Sequence, residues 1–194
     1  MCGIAGYFDQ REHRAIPEPV LRAMTDVIAH RGPDGSGVFR APGVGLGHRR
    51  LPIIDLAGGV QPVPSEDGEG PIVFNGESYN FREVRRDLQA LGHVFRRDSD
   101  TEVIIAAWRA WGEACVDRLR GMFAFAIWDE TARTLFLARD RLGVKPLYYA
   151  DLGDGRFIFG SELKALLMWP GLPRAIDPRA IEDYFAYGYV PDDK

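Results

Sequence analysis

Residues 121–161 constrain the fold more than any other part of the chain. MFAFAIWD, TLFLARD, PLYYA and RFIFGS are four short runs rich in aromatic and branched side chains. They are separated only by DETAR, RLGVK and DLGDG, which is turn chemistry. Parallel strands need crossovers of a dozen residues or more, so these strands are expected to pair antiparallel. MFAFAIW does not alternate between apolar and polar, as a strand with one wet face does. It reads instead as a strand covered on both faces. Two sheets packed face to face, with helices outside them, bury their strands in that way.

The rest of the chain supplies the other layers. CGIAGYF reads as a buried strand ended by Asp9. Leu21, Met24, Val27 and Ile28 recur at helical spacing between Pro17 and His30. HRGPDGSG reads as a glycine-rich loop, and VFRAPGVGLGHRRL as two strands around a Pro-Gly turn. PIVFN is a short strand leading into a second helix, with Phe81, Val84, Leu88 and Leu91 on one face. A third helix starts at Asp100 and buries Val103, Ile104, Ala107, Trp108 and Trp111. Asp177–Lys194 carries a last amphipathic helix (Ile181, Tyr184, Phe185) and then GYVPDDK, which reads as a fragment boundary at the start of a linker. The expected fold class is therefore α+β, a four-layer αββα sandwich of two antiparallel sheets.

Composition excludes several classes of function. At 194 residues, with 46% hydrophobic and 27% charged residues, the chain fits one globular domain with a real core. The net charge is −4. The densest basic pairs, Arg49–Arg50, Arg85–Arg86 and Arg96–Arg97, are too short to track a phosphate backbone, so no nucleic-acid partner is expected. No apolar run approaches the roughly 20 residues of a membrane span. The N-terminus lacks the pattern of a signal peptide, and two cysteines cannot build a disulfide framework. The expected compartment is the cytoplasm. His13, His30, His48 and His93 are not at ligand spacing, so no metal site is expected. GVGLGH lacks the third glycine and the following helix of a dinucleotide fingerprint. No phosphate-loop or GxSxG motif occurs.

Cys2 is then the candidate nucleophile. A thiol attacks only as thiolate and needs a base. Once Met1 is removed, the α-amino group of Cys2 is that base, because such a group has an ordinary pKa of roughly 7.7–8.0. An acyl-transfer site also needs an oxyanion hole, which Asn75 (side-chain amide) and Gly76 (backbone N–H) can supply. For an amino-acid substrate, Arg50 can fork onto the carboxylate and Asp100 can take the ammonium group. Asp100 also reads as a helix N-cap and Arg50 as a surface residue. Those alternatives stay open at this level.

MCGIAGYFD, HRGPDGSG, LGHRRLPIIDL, GGVQPV, FNGESYNFREVR, DSDTEVI, LRGMFAFAIWD, RDRLGVKPLYY and SELKAL, in this order, resemble the class II glutamine amidotransferase domain of asparagine synthetases. The resemblance runs from Cys2 to about Leu167. It implies an N-terminal-nucleophile hydrolase fold and hydrolysis of glutamine to glutamate and ammonia through a Cys2 thioester. It places carboxylate binding on Arg50, with Leu51 and Ile53 bordering the pocket. The oxyanion pair falls on Asn75 and Gly76, and amine binding on Glu77 and Asp100. Arg31 falls in a structural loop beside Cys2. Ser78 and Pro52 depart from the family pattern at positions without a proposed chemical role. The implied division is a glutaminase domain at 1–175, with 176–194 starting the connection to a C-terminal synthetase domain. No cofactor is expected in this chain, ATP and Mg belonging to that further domain. The resemblance admits a homodimer. The rival readings are an amidotransferase domain serving another acceptor, a non-catalytic regulatory or assembly domain, and a hydrolase of a different amide.

Overall fold

The computed structural model describes residues 1–51, 61–64 and 70–191. Its strands are β1 (Gly3–Asp9), β2 (Gly35–Ala41), β3 (Val44–Arg50), β4 (Val63–Pro64), β5 (Pro71–Ser78), β6 (Gly121–Asp129), β7 (Thr134–Arg139), β8 (Tyr148–Asp151) and β9 (Arg156–Gly160). The α-helices are α1 (Glu18–Asp26), α2 (Phe81–Ala90), α3 (Asp100–Trp111), α4 (Cys115–Arg118), α5 (Leu163–Leu166) and α6 (Pro178–Tyr187).

Two antiparallel sheets form, one in the order β2-β3-β1-β9-β8 and the other β4-β5-β6-β7. The four runs between 121 and 161 are two hairpins, and they divide between the sheets. β6 pairs with β7 in the second sheet, and β8 pairs with β9 in the first. The segment 140–147 therefore crosses from one sheet to the other.

Period-two alternation explains the unbroken apolar run of β6. Ala124, Ala126 and Trp128 face the first sheet and pack with Ile4, Val44, Leu46, Val73 and Phe159. Phe123, Phe125 and Ile127 face the other way and pack with Ile104 and Ile105 of α3. Outside the first sheet, Leu21 and Met24 of α1, with Ile28, cover Ala5, Tyr7 and Ile158. That is the αββα sandwich, with a buried layer at each of its three seams.

Burial on both faces holds for β1, β3, β5 and β6. It does not hold for β2, β7 and β8, whose residues are largely half-buried or exposed. β2, β7 and β8 are edge strands, with a neighbour on one side only. α3 buries Val103, Ile104 and Ala107 but leaves Trp108 and Trp111 half-buried, and two other helices also differ from the sequence reading. α2 stops at Ala90, so Leu91 lies past its end and is exposed. α6 forms, but Ile181, Tyr184 and Phe185 are exposed and Asp183 is its buried residue. HRGPDGSG is only partly loop, because Ala29–Arg31 makes a 3₁₀ turn and β2 begins at Gly35.

Candidate active site

The site forms where strand ends from both sheets meet the start of α3. Cys2 precedes β1, whose first residue pairs with Arg49 of β3. That register sets the end of β3 beside Cys2. The Leu51 N–H donates to Cys2 Sγ at 3.4 Å, and the thiol lies 3.5 Å from the Leu51 carbonyl. Arg31 fastens the Cys2 main chain, its Nε donating to the Cys2 carbonyl at 2.9 Å. Behind it, Glu162 accepts from Arg31 Nη1 at 3.1 Å and also bonds His30 and Lys164. Burial works to raise the Glu162 pKa. Hydrogen bonds from Lys164, His30 and Arg31 outweigh it and hold the carboxyl down at about 2.

A cavity of about 70 Å³ opens at this point, lined by Cys2, Arg50, Leu51, Asn75, Gly76, Glu77 and Asp100 among others. Seven of the eight residues singled out from the sequence thus come together. The eighth, Ile53, and the departure at Pro52 lie outside the described residues.

β5 delivers three of them in succession. Asn75 is 1% exposed, and neither its amide nitrogen nor its oxygen has a hydrogen-bond partner among the described residues. Gly76 pairs with Phe123 of β6, where an added Cβ would run into the Met122 carbonyl and the Phe123 main chain. Only glycine lets the two strands approach this closely. Next to Asn75, the Phe74 N–H donates to Gln61 Oε1 at 2.7 Å, and the Phe74 carbonyl accepts from His48 Nε2 at 3.1 Å. His48 lies between the sheets. Burial first, and the Arg50 charge after it, push its pKa down to about 4, so the ring is neutral at pH 7.

The alternative reading of Asp100 as a helix cap is resolved. Ser99 is the N-cap of α3, its hydroxyl accepting from the Thr101 N–H at 3.2 Å. Asp100 is free of that task and lines the cavity, with Oδ2 accepting from the Ser78 N–H at 3.1 Å. Burial raises its pKa and the nearby Glu77 charge adds to this, against the lowering effect of the Ser78 and Thr101 N–H groups. The departure at Ser78 leaves this bond intact, because the main chain makes it.

The other thiol does not compete. Cys115 sits in the core between α2 and α3, and burial pushes its pKa up to about 11. Residues that the sequence reading missed are Gln61, Met122 and Lys145, which line the same cavity. Gln61 and Lys145 stand inside two of the motifs quoted above, GGVQPV and RDRLGVKPLYY, but no chemical pattern marked them. Among the described residues no three His, Cys, Asp or Glu side chains come together as a metal-binding group, and no helix is long and apolar enough to cross a membrane.

Comparison with known proteins adds a family to this geometry. Asparagine synthetase [glutamine-hydrolyzing] 3 of Bacillus subtilis is 43% identical over 190 residues, covering 97% of this chain and 31% of the relative. Asparagine synthetase [glutamine-hydrolyzing] 1 of the same organism is 43% identical over 194 residues, covering 99% of this chain and 30% of the relative. The chain thus spans less than a third of the length of these two relatives. Among solved structures, glutamine phosphoribosylpyrophosphate amidotransferase from B. subtilis superposes with a TM-score of 0.68 at 21% identity, over 86% of this chain and 43% of that one. That likeness shows the fold. The family model that describes a glutamine amidotransferase domain matches residues 1–194, and the chain belongs to that family.

Proposed function

We propose that this domain hydrolyses glutamine to glutamate and ammonia through a thioester on Cys2, once Met1 has been removed. The observation that carries the reading is the Asn75 amide, buried without a partner among the described residues in the cavity that holds Cys2. An orphaned buried amide costs roughly 1–3 kcal/mol, and a charge that develops only during reaction accounts for its retention.

The residues divide the chemistry as follows. Arg50 takes the substrate carboxylate, beside Leu51, and Glu77 and Asp100 take its ammonium group. The Cys2 amine accepts the thiol proton as sulfur adds to the amide carbon. Asn75 Nδ2 and the Gly76 N–H receive the oxyanion. The tetrahedral adduct collapses to the thioester, and ammonia leaves with the proton returned by the amine. Water, deprotonated by the same amine, then attacks the thioester and releases glutamate and the thiol.

The further reading is that the ammonia supplies an ATP-dependent synthetase domain of the asparagine synthetase type, in the cytoplasm. The names and greater length of the relatives support it. In this reading 1–175 is the glutaminase domain and 176–194 starts the connection, and ATP and Mg belong to the other domain. The experiment is covalent trapping. An electrophilic glutamine analogue should label processed protein once, at Cys2, and free glutamine should protect it. Labelling elsewhere, or without glutamine protection, would count against the assignment.

A further inference from the structure

Lys145 is a buried ammonium that no carboxylate answers among the described residues. The residue is 5% exposed. Among the described residues its Nζ has a single hydrogen-bond contact, the Met1 thioether at 3.2 Å. Lysine is almost never fully buried unless paired, and a thioether is a weak acceptor.

The loop that carries Lys145 is built to hold it there. Asp140, itself buried, accepts from four main-chain N–H groups. Phe123 and Lys145 donate to Oδ2 at 3.2 and 2.9 Å, and Leu142 and Val144 to Oδ1 at 3.2 and 2.9 Å. Arg139 clamps the other side, donating to the Lys145 carbonyl at 3.0 Å and the Gly143 carbonyl at 2.7 Å. The crossing between the two sheets is thereby fixed, with Lys145 on the cavity that contains Cys2.

Its place along the chain start gives it a task. Met1 is bonded to the Cys2 nitrogen, the atom that becomes the α-amine on processing. Bond lengths put the Lys145 ammonium within roughly 10 Å of that atom even with Met1 extended. That is close to one Debye length at physiological salt, and partial burial weakens the screening further. Among the described residues, the other charged side chains on the Cys2 main chain or its cavity are Arg31 with its partner Glu162, and Arg50, Glu77 and Asp100, beside the thiol of Cys2 itself. Arg31 is ion-paired with Glu162. Arg50 adds to the effect of Lys145 in the free enzyme and Glu77 and Asp100 oppose it, but all three are the same in every variant, so a difference between variants isolates Lys145. Loss of Met1 removes that thioether contact from a side chain that lines the same cavity as Cys2.

We propose that Lys145 is a positioning charge for the general base, whose ammonium opposes protonation of the mature Cys2 α-amine and keeps that base neutral near pH 7. An amine at its ordinary pKa is mostly protonated there, and a like charge nearby lowers it. The proposal rests on the Cys2 thioester reading.

The test uses processed protein, verified by mass, as wild type, Lys145→Met and Lys145→Arg. Two quantities are followed against pH: kcat/KM for glutamine hydrolysis, and acylation of the N-terminal amine by a small reagent. In Lys145→Met the acid limb and the amine titration should both move up by about one pH unit, about tenfold in kcat/KM on the acid side. Lys145→Arg should restore both. An unmoved limb and titration would overturn the proposal, as would a raised KM with the limb in place, which marks a substrate contact. Should Lys145→Met fail to fold, Lys145→Gln is read in the same way. The amine titration needs no turnover, so a failed hydrolysis reading and a failed Lys145 proposal are told apart.

Discussion

The main-chain N–H of Leu51 points at the sulfur of Cys2 from 3.4 Å. The contact follows from strand register, since Gly3 pairs with Arg49 and places the next residues of each chain end side by side. What this arrangement lacks before processing is a base. Protein that retains Met1 should therefore melt within a degree or two of the processed form yet release no ammonia from glutamine. Calorimetry and an ammonia assay on the two forms, separated by mass, check this.

Asn75 offers a split between stability and activity. Among the described residues its amide makes no hydrogen bond that Asn75→Ala could break. The substitution should lower kcat by roughly 10²–10³-fold, as loss of one oxyanion donor does elsewhere, and leave KM nearly unchanged. Stability should hold or rise, because the substitution breaks no bond and removes an unpaired buried amide. Steady-state kinetics beside urea unfolding measures both.

Arg50→Ala should act mainly on KM. In the proposed chemistry Arg50 holds a carboxylate that carries the same charge in substrate and transition state, so its loss weakens both alike. Arg50→Lys should recover only part of the affinity, since an ammonium cannot reproduce the planar fork.

Gly76→Ala should harm the fold as well as the site. The new methyl group meets main-chain atoms of β6 rather than a flexible side chain. Overpacking of this kind costs typically 1–3 kcal/mol. Thermal unfolding should show that loss, together with reduced glutaminase activity.

His48 sets a pH dependence of stability. Its folded pKa is depressed to about 4 from an ordinary 6.5. Below pH 6.5 the unfolded chain takes up a proton that the folded chain refuses. The stability His48 contributes is thus present above pH 6.5 and lost as pH falls toward 4. Urea unfolding of His48→Gln should show a flatter profile across that window than wild type.

Much of this arrangement was legible from residue pattern. The turn-separated runs after Gly121 foretold antiparallel pairing, and the unbroken apolar run of β6 foretold a strand covered on both sides. Asn75 and Gly76 stood out for the N–H donors they offer, while Glu77 came only with the family resemblance. Other features depended on contacts distant in sequence. That Ser99 rather than Asp100 caps α3 is a choice between neighbours with equal capping chemistry. That α6 leaves Ile181, Tyr184 and Phe185 uncovered is invisible to periodicity, which shows a face but not what covers it. Lys145 was missed because its burial depends on Asp140 and Arg139 folding the crossing loop, and isolated lysines carry no motif.

The central claim, hydrolysis of glutamine by Cys2, is tested most directly by ammonia release from glutamine by processed wild type and Cys2→Ala, each confirmed by mass. The account predicts steady ammonia production by the wild type and none above background by Cys2→Ala, with both folded. Equal activity in the two proteins would contradict it.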